Sequence, residues 1–185
     1  STTAEAILKG GYDQAVGKTT EKMLKDIQKT IRTSFFNFLA TGTGEASGAT
    51  LQPALANGWG KLQVLFEDDA VETVYFLNPM DVSDYLGTAQ ISTQTVFGMT
   101  YIENFLGLGS VFLNSNVPAG KYYATAKENI KTYFVNVGAG NIADAFGLTT
   151  DETGYIGINE YADKDHACVN DLVMSGVTFF PERID

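Results

Sequence analysis

The sequence predicts an α+β protein that begins with one unusually long helix. Apolar residues recur at helical spacing from residue 13 to residue 40, and again from 49 to 66. Short runs rich in Val, Ile, Tyr and Phe follow these two segments and are typical of strands. Helices and strands mixed along one chain in this way indicate the α+β class.

The long helix is predicted over residues 13–40. Its apolar side is formed by residues that mostly recur every three or four positions: Val16, Leu24, Ile27, Ile31, Phe35, Phe38 and Leu39. Basic residues mostly fall on the other side: Lys18, Lys22, Lys25, Lys29 and Arg32. At 1.5 Å of rise per residue, such a helix spans about 42 Å, which is long for a protein of this size.

Four further elements are predicted between this helix and residue 98. The stretch Thr41-Gly42-Thr43-Gly44 ends the long helix, and a second helix runs from Ala49 to Phe66. A buried strand at 71–77 is closed by Asn78-Pro79. Asp81 is the predicted N-cap of a short helix that runs to Leu86, and the small, polar residues 87–98 are predicted to form a loop.

The second half of the chain is predicted to be mostly strands. They are expected at 109–114, 121–125 and 131–137, with a short helix from Asn141 to Phe146 and a strand pair over 154–180 that turns at Asp163-Lys164-Asp165. Pro181 ends the last strand.

The charge of the chain is acidic and unevenly distributed. It carries 22 Asp or Glu against 12 Lys or Arg, a formal net charge of −10, so phosphate backbones repel it and bulk nucleic-acid binding is not expected. Residues 1–40 hold six basic and four acidic residues, a net charge of +2, which leaves −12 for the rest. Two interpretations remain open: an ordinary solvated helix face, or a basic helix that attracts the acidic body of a neighbouring copy.

Cysteine content and hydropathy exclude several classes. Cys168 is the single cysteine, so neither a disulfide framework nor a thiolate metal cluster is expected. No apolar run approaches the roughly 18 residues that a membrane span needs, and no signal-peptide pattern opens the chain. Because the first residue is Ser1, we expect a processed or trimmed polypeptide.

Two glycine-containing stretches approach phosphate-binding motifs without matching them. Gly11 to Thr19 has five residues between its glycines where a phosphate-cradling loop has four, and no convincing strand precedes it. Gly138-Ala139-Gly140-Asn141 precedes a predicted helix and is open to two interpretations, an anion site or a tight turn. The dinucleotide pattern would require glycine at 143, where Ala143 stands.

The acidic residues and the single histidine offer the other candidate chemistry. His166 and Cys168, flanked by Asp163 and Asp165, resemble part of a metal site or a Cys–His pair, but a second soft ligand is lacking. Carboxylates also stand close in sequence at Asp68-Asp69, Asp151-Glu152 and Asp163/Asp165, where solvated turns are the simpler interpretation. We therefore assign no catalytic, cofactor-binding or metal-binding residue and expect no cofactor.

Four stretches stand in an informative order: the long helix with Leu39-Ala40-Thr41-Gly42-Thr43-Gly44, then Tyr75-Phe76-Leu77-Asn78-Pro79 with Asp81, then Val117-Pro118-Ala119-Gly120-Lys121, then Val177-Thr178-Phe179-Phe180-Pro181-Glu182. In this order they resemble the major capsid proteins of tailed phages, with the Hong Kong 97-like coat fold. The first looks like the family's spine helix and its glycine-rich turn. The second and third look like a strand, a short helix and a turn of the axial domain, and the fourth looks like the closing strand.

The resemblance implies a capsid subunit with two subdomains. A peripheral subdomain is expected from residues 1–45 and 154–172, and an axial subdomain from 46–153 and 173–185. The N-terminal arm and extended loop that normally precede the spine helix in this family are not present in the sequence.

The function implied is that of a major head protein of a bacteriophage or prophage. It is structural, not enzymatic, and acts by self-assembly into the icosahedral shell that encloses DNA. The implied partners are other copies of the chain and possible scaffold or portal proteins, with no membrane, specific nucleic-acid site or small-molecule substrate. The implied location is the virion, and the bacterial host cytoplasm before assembly. The alternative is a small intracellular enzyme, such as a hydrolase with an acidic site at Asp163, Asp165 and His166.

Overall fold

The structure is a computed structural model that describes residues 1–67, 71–89, 91–96, 98–137, 141–151 and 154–181. The helices and strands in chain order are β1 (Thr2–Thr3), α1 (Ala4–Gly10), α2 (Tyr12–Leu39), α3 (Leu51–Leu65), β2 (Thr73–Leu77), α4 (Pro79–Thr88), β3 (Gln94–Val96), β4 (Met99–Phe105), β5 (Gly109–Leu113), β6 (Tyr122–Ala126), β7 (Ile130–Phe134), α5 (Asn141–Phe146), β8 (Thr149–Thr150), β9 (Ile156–Asp163), β10 (Cys168–Ser175) and β11 (Val177–Pro181). This mixture confirms the predicted α+β class.

The chain forms two compact units. The first unit contains residues 1–34 and 132–179, and the second contains residues 35–131 and 180–185. The division falls inside α2, and again inside β7 and β11, which pair with each other as a two-stranded sheet. These bounds differ from the predicted subdomains in residues 35–45, 132–153 and 173–179. That one unit is peripheral and the other axial stays a prediction.

The long helix is present and continuous. α2 covers Tyr12–Leu39, within one residue of the predicted range at both ends. A short helix that was not predicted, α1, precedes it. Gly11, whose φ of 82° favours glycine, separates the two helices, and its N–H closes α1 by donating to the carbonyl of Ile7. Helical spacing predicted α2 because a repeat of this length has few alternative explanations.

The second unit is built on a sheet with the strand order β3-β4-β5-β2-β6. β2 runs parallel to β5 and antiparallel to β6, and all five of its residues are buried. Tyr75 and Leu77 point into a core with Leu55 of α3 and Val82 of α4. Val74 and Phe76 point to the opposite face, in a cluster with Phe36, from the end of α2, and Val117. A strand covered on both faces explains the continuous apolar run of this segment.

Two predictions about local structure in this unit were wrong. Residues 94–96 form β3 within the predicted loop 87–98, and β4 follows directly at Met99–Phe105. The polar residues of β3 are tolerated because β3 is an edge strand of the sheet. The N-cap of α4 is Asn78 and not Asp81, because the Asn78 side chain accepts a hydrogen bond from the N–H of Met80 at 3.0 Å and Pro79 occupies the first turn.

The first unit contains a sheet with the strand order β1-β10-β9-β8. β9 and β10 form an antiparallel pair within the predicted range 154–180, from Ile156 opposite Ser175 to Asp163 opposite Cys168. The last part of that range was predicted wrongly, because Val177–Pro181 form a separate strand, β11, which includes Pro181 and pairs with β7. β1 and β8 pair with them over two residues each, and neither was predicted because such short strands have no periodicity. No helix in the described part of the chain is both long and apolar enough to cross a membrane.

Candidate functional site

The turn between β9 and β10 brings together the residues of the predicted acidic site. Asp163 Oδ1 accepts hydrogen bonds from the N–H groups of Asp165 (3.1 Å) and His166 (3.2 Å), while Asp163 Oδ2 lies 2.9 Å from His166 Nδ1. The hydrogen bond from the His166 side chain, then the one from its N–H, hold the pKa of Asp163 below its usual value. Asp163 therefore acts as the cap of a tight turn.

The chemistry available at this turn is limited by its exposure. The His166 side chain is 78% exposed, so water competes with any substrate for it. Cys168 lies opposite Asp163 in the strand pair, and its Sγ is 3.8 Å from Asn170 Oδ1. Among the described residues, no group of three or more His, Cys, Asp or Glu side chains is arranged to hold a metal ion. The structure thus joins Asp163 to His166 but places Asp165 beside them as an exposed residue.

The first of the two glycine-containing stretches does not form a phosphate-binding loop. Tyr12 to Thr19 are the first two turns of α2, so their backbone N–H groups face along a helix and do not cradle a ligand. An open depression of about 460 Å³ lies beside them and is lined partly by Lys9, Lys18 and Thr19. Residues 138–140 of the second stretch lie outside the described residues, and α5 after them is six residues long.

The remaining acidic candidates do not form a described site. Asp68, Asp69 and Glu152 lie outside the described residues. Asp151 Oδ1 accepts a hydrogen bond from the N–H of Ile156 at 3.3 Å, which is a structural role within a turn.

One carboxylate that the sequence did not single out is Asp171 on β10. Both of its side-chain oxygens are buried without a hydrogen-bond partner, and Glu160 stands directly opposite on β9. Burial, and then the Glu160 carboxylate, raise the pKa of Asp171. No local pattern distinguishes this aspartate from an exposed one on an alternating strand.

Two sequence stretches that resemble axial-domain motifs meet in the second unit. Asn78 Nδ2 donates to the carbonyl of Val117 at 2.7 Å, and Asp81 accepts the N–H of Gly120 with both oxygens, at 2.9 and 3.1 Å. Val117 is fully buried in the cluster with Phe76. We call this arrangement the turn lock, meaning Asn78 and Asp81 together with residues 114–121. It fixes the turn against the start of α4.

The turn lock also explains what Asp81 does. Both oxygens bind one N–H of the turn that is 39 residues away in sequence. The interaction is a charge-assisted hydrogen bond, which is stronger than a neutral one.

Comparisons of the chain with protein-family models, with curated proteins and with solved structures give no match. The resemblance to tailed-phage coat proteins therefore stays a prediction that rests on the sequence stretches themselves.

Proposed function

We propose that this chain is a structural subunit of a viral or prophage icosahedral capsid with a Hong Kong 97-like fold. It acts by self-association into the shell that encloses DNA, with other copies of itself as its principal partners. In this proposal the protein is located in the virion, and in the bacterial host cytoplasm before assembly. The first unit corresponds to the peripheral subdomain, and the second to the axial subdomain.

The observation that carries the proposal is the turn lock. The strand with Asn-Pro and Asp81, and the turn Val117 to Lys121, were related to one axial domain from sequence alone. They are joined by two side chains: Asn78 donates to the carbonyl of Val117, and Asp81 accepts the N–H of Gly120. The contact supports the proposal because it joins two stretches that the resemblance assigns to the same axial domain.

Two further features support a role in assembly. α2 has 28 residues, of which those up to Ser34 belong to the first unit, and β9 with β10 is an eight-residue strand pair, so this unit has elongated elements that present extended contact surface. Several large apolar side chains are more than half exposed, including Leu8 (86%), Val64 (75%) and Met80 (73%). Repeated interfaces of modest size between identical subunits are what close a shell.

Particle formation tests the proposal. The purified chain, alone and with candidate scaffold proteins, is examined by sedimentation velocity and negative-stain electron microscopy at rising concentration. We expect rings of five or six subunits or closed particles. A monomer at every concentration under all these conditions would contradict the proposal.

A matched pair of variants connects the turn lock to assembly. Asp81→Ala removes the acceptor for the N–H of Gly120 and should lower the assembled fraction while helix content by circular dichroism is retained. Ser83→Ala changes an exposed residue of the same helix whose hydroxyl contacts the carbonyl of Met80, so it should assemble as wild type does. Equal assembly of both variants would remove the turn lock as support.

We propose a hydrolase as the second candidate, because of the 2.9 Å contact between Asp163 and His166. A carboxylate that orients a histidine is part of many catalytic sites. In that case Asp163→Ala and His166→Ala each abolish a measurable activity in a screen of ester, amide and phosphoester substrates. Activity unchanged in both variants, or no activity in wild type, would remove this candidate.

A further inference from the structure

Two carboxyl groups face each other in the first unit, and one of them is shielded from water. Asp171 of β10 stands directly opposite Glu160 of β9. Directly opposite residues of an antiparallel pair point to the same face of the sheet, where two like charges destabilise the pairing. Both carboxylate oxygens of Asp171 are shielded from solvent and accept no hydrogen bond from a described residue, whereas Glu160 is exposed. We call Asp171 and Glu160 the acid pair.

The acid pair lies among apolar residues of the sheet. Val169 and Val173 are the next residues of β10 on the same face as Asp171, and Val173 stands opposite Ile158 of β9. Val169 is buried. A charged carboxylate that lacks both water and a hydrogen-bond donor is costly in such surroundings. The neutral, protonated form of Asp171 avoids this cost.

The first half of α2 is held against the same face of the sheet. The Thr20 hydroxyl donates to Glu160 Oε1 at 3.1 Å, and Val16, one turn earlier, is buried. The Thr2 hydroxyl of β1 donates to the Thr19 hydroxyl at 2.9 Å. Because Thr20 has one hydroxyl proton and donates it to Glu160, it does not also supply a donor to the other member of the acid pair.

The groups that act on Asp171 come from three parts of the first unit. Burial, and then the Glu160 carboxylate of β9, raise the pKa of Asp171. The α-amino group of Ser1, beside β1, and the Thr20 hydroxyl of α2 act in the opposite direction, but the pKa remains above its usual value. The folded arrangement therefore binds a proton more tightly than an exposed aspartate does.

We propose that the acid pair holds one shared proton and acts as a pH-sensitive switch, which keeps the first half of α2 on the sheet while the proton is bound and loosens it when the proton is lost. With the proton bound, Asp171 donates to an oxygen of Glu160, and the pair carries a single negative charge. Without it, two carboxylates oppose each other and Asp171 requires water, which favours an arrangement with this part of α2 moved away. The proton comes from water and returns to water, so no other reactant is needed. The switch is independent of the proposed capsid role.

The direction of the pH dependence follows from the raised pKa of Asp171. The stabilisation is fully present below the pKa of an exposed aspartate and is lost as pH rises through the raised value. Between these two values, local opening becomes easier by up to about tenfold per pH unit, which is the limit for release of one proton.

Hydrogen–deuterium exchange followed by mass spectrometry tests the switch in the whole chain. Exchange is measured from pH 4 to pH 7 and corrected for the pH dependence of the intrinsic exchange rate. Protection of peptides that cover residues 16–24 should fall by about tenfold or more over this range. Peptides that cover α3 report on the second unit and should keep their protection. No loss in residues 16–24, or an equal loss in both regions, would overturn the inference.

Three variants identify the groups that bind the proton. Asp171→Asn cannot lose a proton, and its amide can donate to Glu160, so protection of residues 16–24 should be equal at pH 4 and pH 7. Glu160→Gln keeps an oxygen that accepts from Thr20 and removes the opposing charge, so the loss of protection should begin at lower pH. Asp165→Asn makes the same chemical change at an exposed aspartate in the turn between the same strands, and should follow wild type.

The variants have outcomes that contradict the switch. Asp171→Asn with the pH profile of wild type would mean that another group binds the proton. Glu160→Gln with the profile of wild type would mean that Asp171 titrates alone and that no proton is shared. Circular dichroism checks that the variants are folded. If Asp171→Asn does not fold, the profiles of wild type and of Glu160→Gln still decide the question.

Discussion

Gly58 in α3 is a position where the addition of one methyl group should destabilise the protein. A Cβ at residue 58 would lie 2.7 Å from the hydroxyl oxygen of Tyr122 and 3.0 Å from its Cε2, closer than ordinary van der Waals contact. The same hydroxyl donates to the carbonyl of Ala54 at 2.7 Å, so Tyr122 is held against the helix at this point. We therefore expect Gly58→Ala to displace Tyr122.

Three effects contribute to the change in unfolding free energy that Gly58→Ala causes. Overpacking of a well-packed contact costs about 1–3 kcal/mol, and loss of the hydrogen bond to Ala54 costs about 0.5–1.5 kcal/mol. Replacing glycine by alanine inside a helix returns about 0.5–1 kcal/mol. The expected net loss for Gly58→Ala is about 0.5–4 kcal/mol of unfolding free energy.

Gly60 supplies the matched control in the same helix. A Cβ there meets no atom within 4 Å. Gly60→Ala should therefore only gain the higher helix propensity of alanine, which raises stability by about 0.5–1 kcal/mol. Urea denaturation followed by circular dichroism measures both variants. A double variant with Tyr122→Phe should lose less on addition of the methyl group, because the nearest atom is then gone.

Two results would refute the reasoning. Gly58→Ala as stable as wild type would mean that Tyr122 moves away at no cost. Equal destabilisation by Gly58→Ala and Gly60→Ala would mean that the effect belongs to α3 as a whole and not to the contact.

Three further predictions concern single side chains. Tyr75→Phe removes the buried hydrogen bond from its hydroxyl to the carbonyl of Leu55, at 3.0 Å, and should cost about 0.5–1.5 kcal/mol in urea denaturation; an unchanged midpoint would contradict it. Asp171→Asn should raise stability at neutral pH. The folded-state pKa of Asp171 is raised, so its contribution is fully present below the unfolded-state pKa and is lost as pH rises through the folded-state value; the variant should lack this loss when unfolding is measured from pH 4 to 7. Asn78→Ala should cost about 1–2 kcal/mol through the lost N-cap, whereas Asn78→Asp, which keeps the acceptor, should cost less in the same assay.

The sequence alone was sufficient for elements whose signal is local. The apolar repeat placed α2 within one residue at both ends, and the run from Val71 to Leu77 placed β2, which begins two residues later at Thr73. The strand pair turning at Asp163 was also predicted, because turn residues stood between two alternating runs. In each case the residues that determine the element are neighbours in the chain.

The candidate site was predicted less completely. The sequence grouped Asp163, Asp165 and His166, and the structure joins Asp163 to His166 by a direct contact. It gave no reason to select Asp171, because burial of a strand residue depends on what covers that face.

Tertiary structure decided the points that depend on distant partners. Asp81 resembles an N-cap in sequence, yet its carboxylate binds the N–H of Gly120, and Asn78 caps the helix instead. β3 lies in a stretch with the composition of a loop and becomes a strand because β4, itself paired with β5, offers it a partner edge. Local periodicity reflects the preferences of successive residues for backbone dihedral angles and for one face of an element. Strand pairing and burial follow instead from contacts between residues far apart in the chain. These contacts produce no periodic pattern in the sequence.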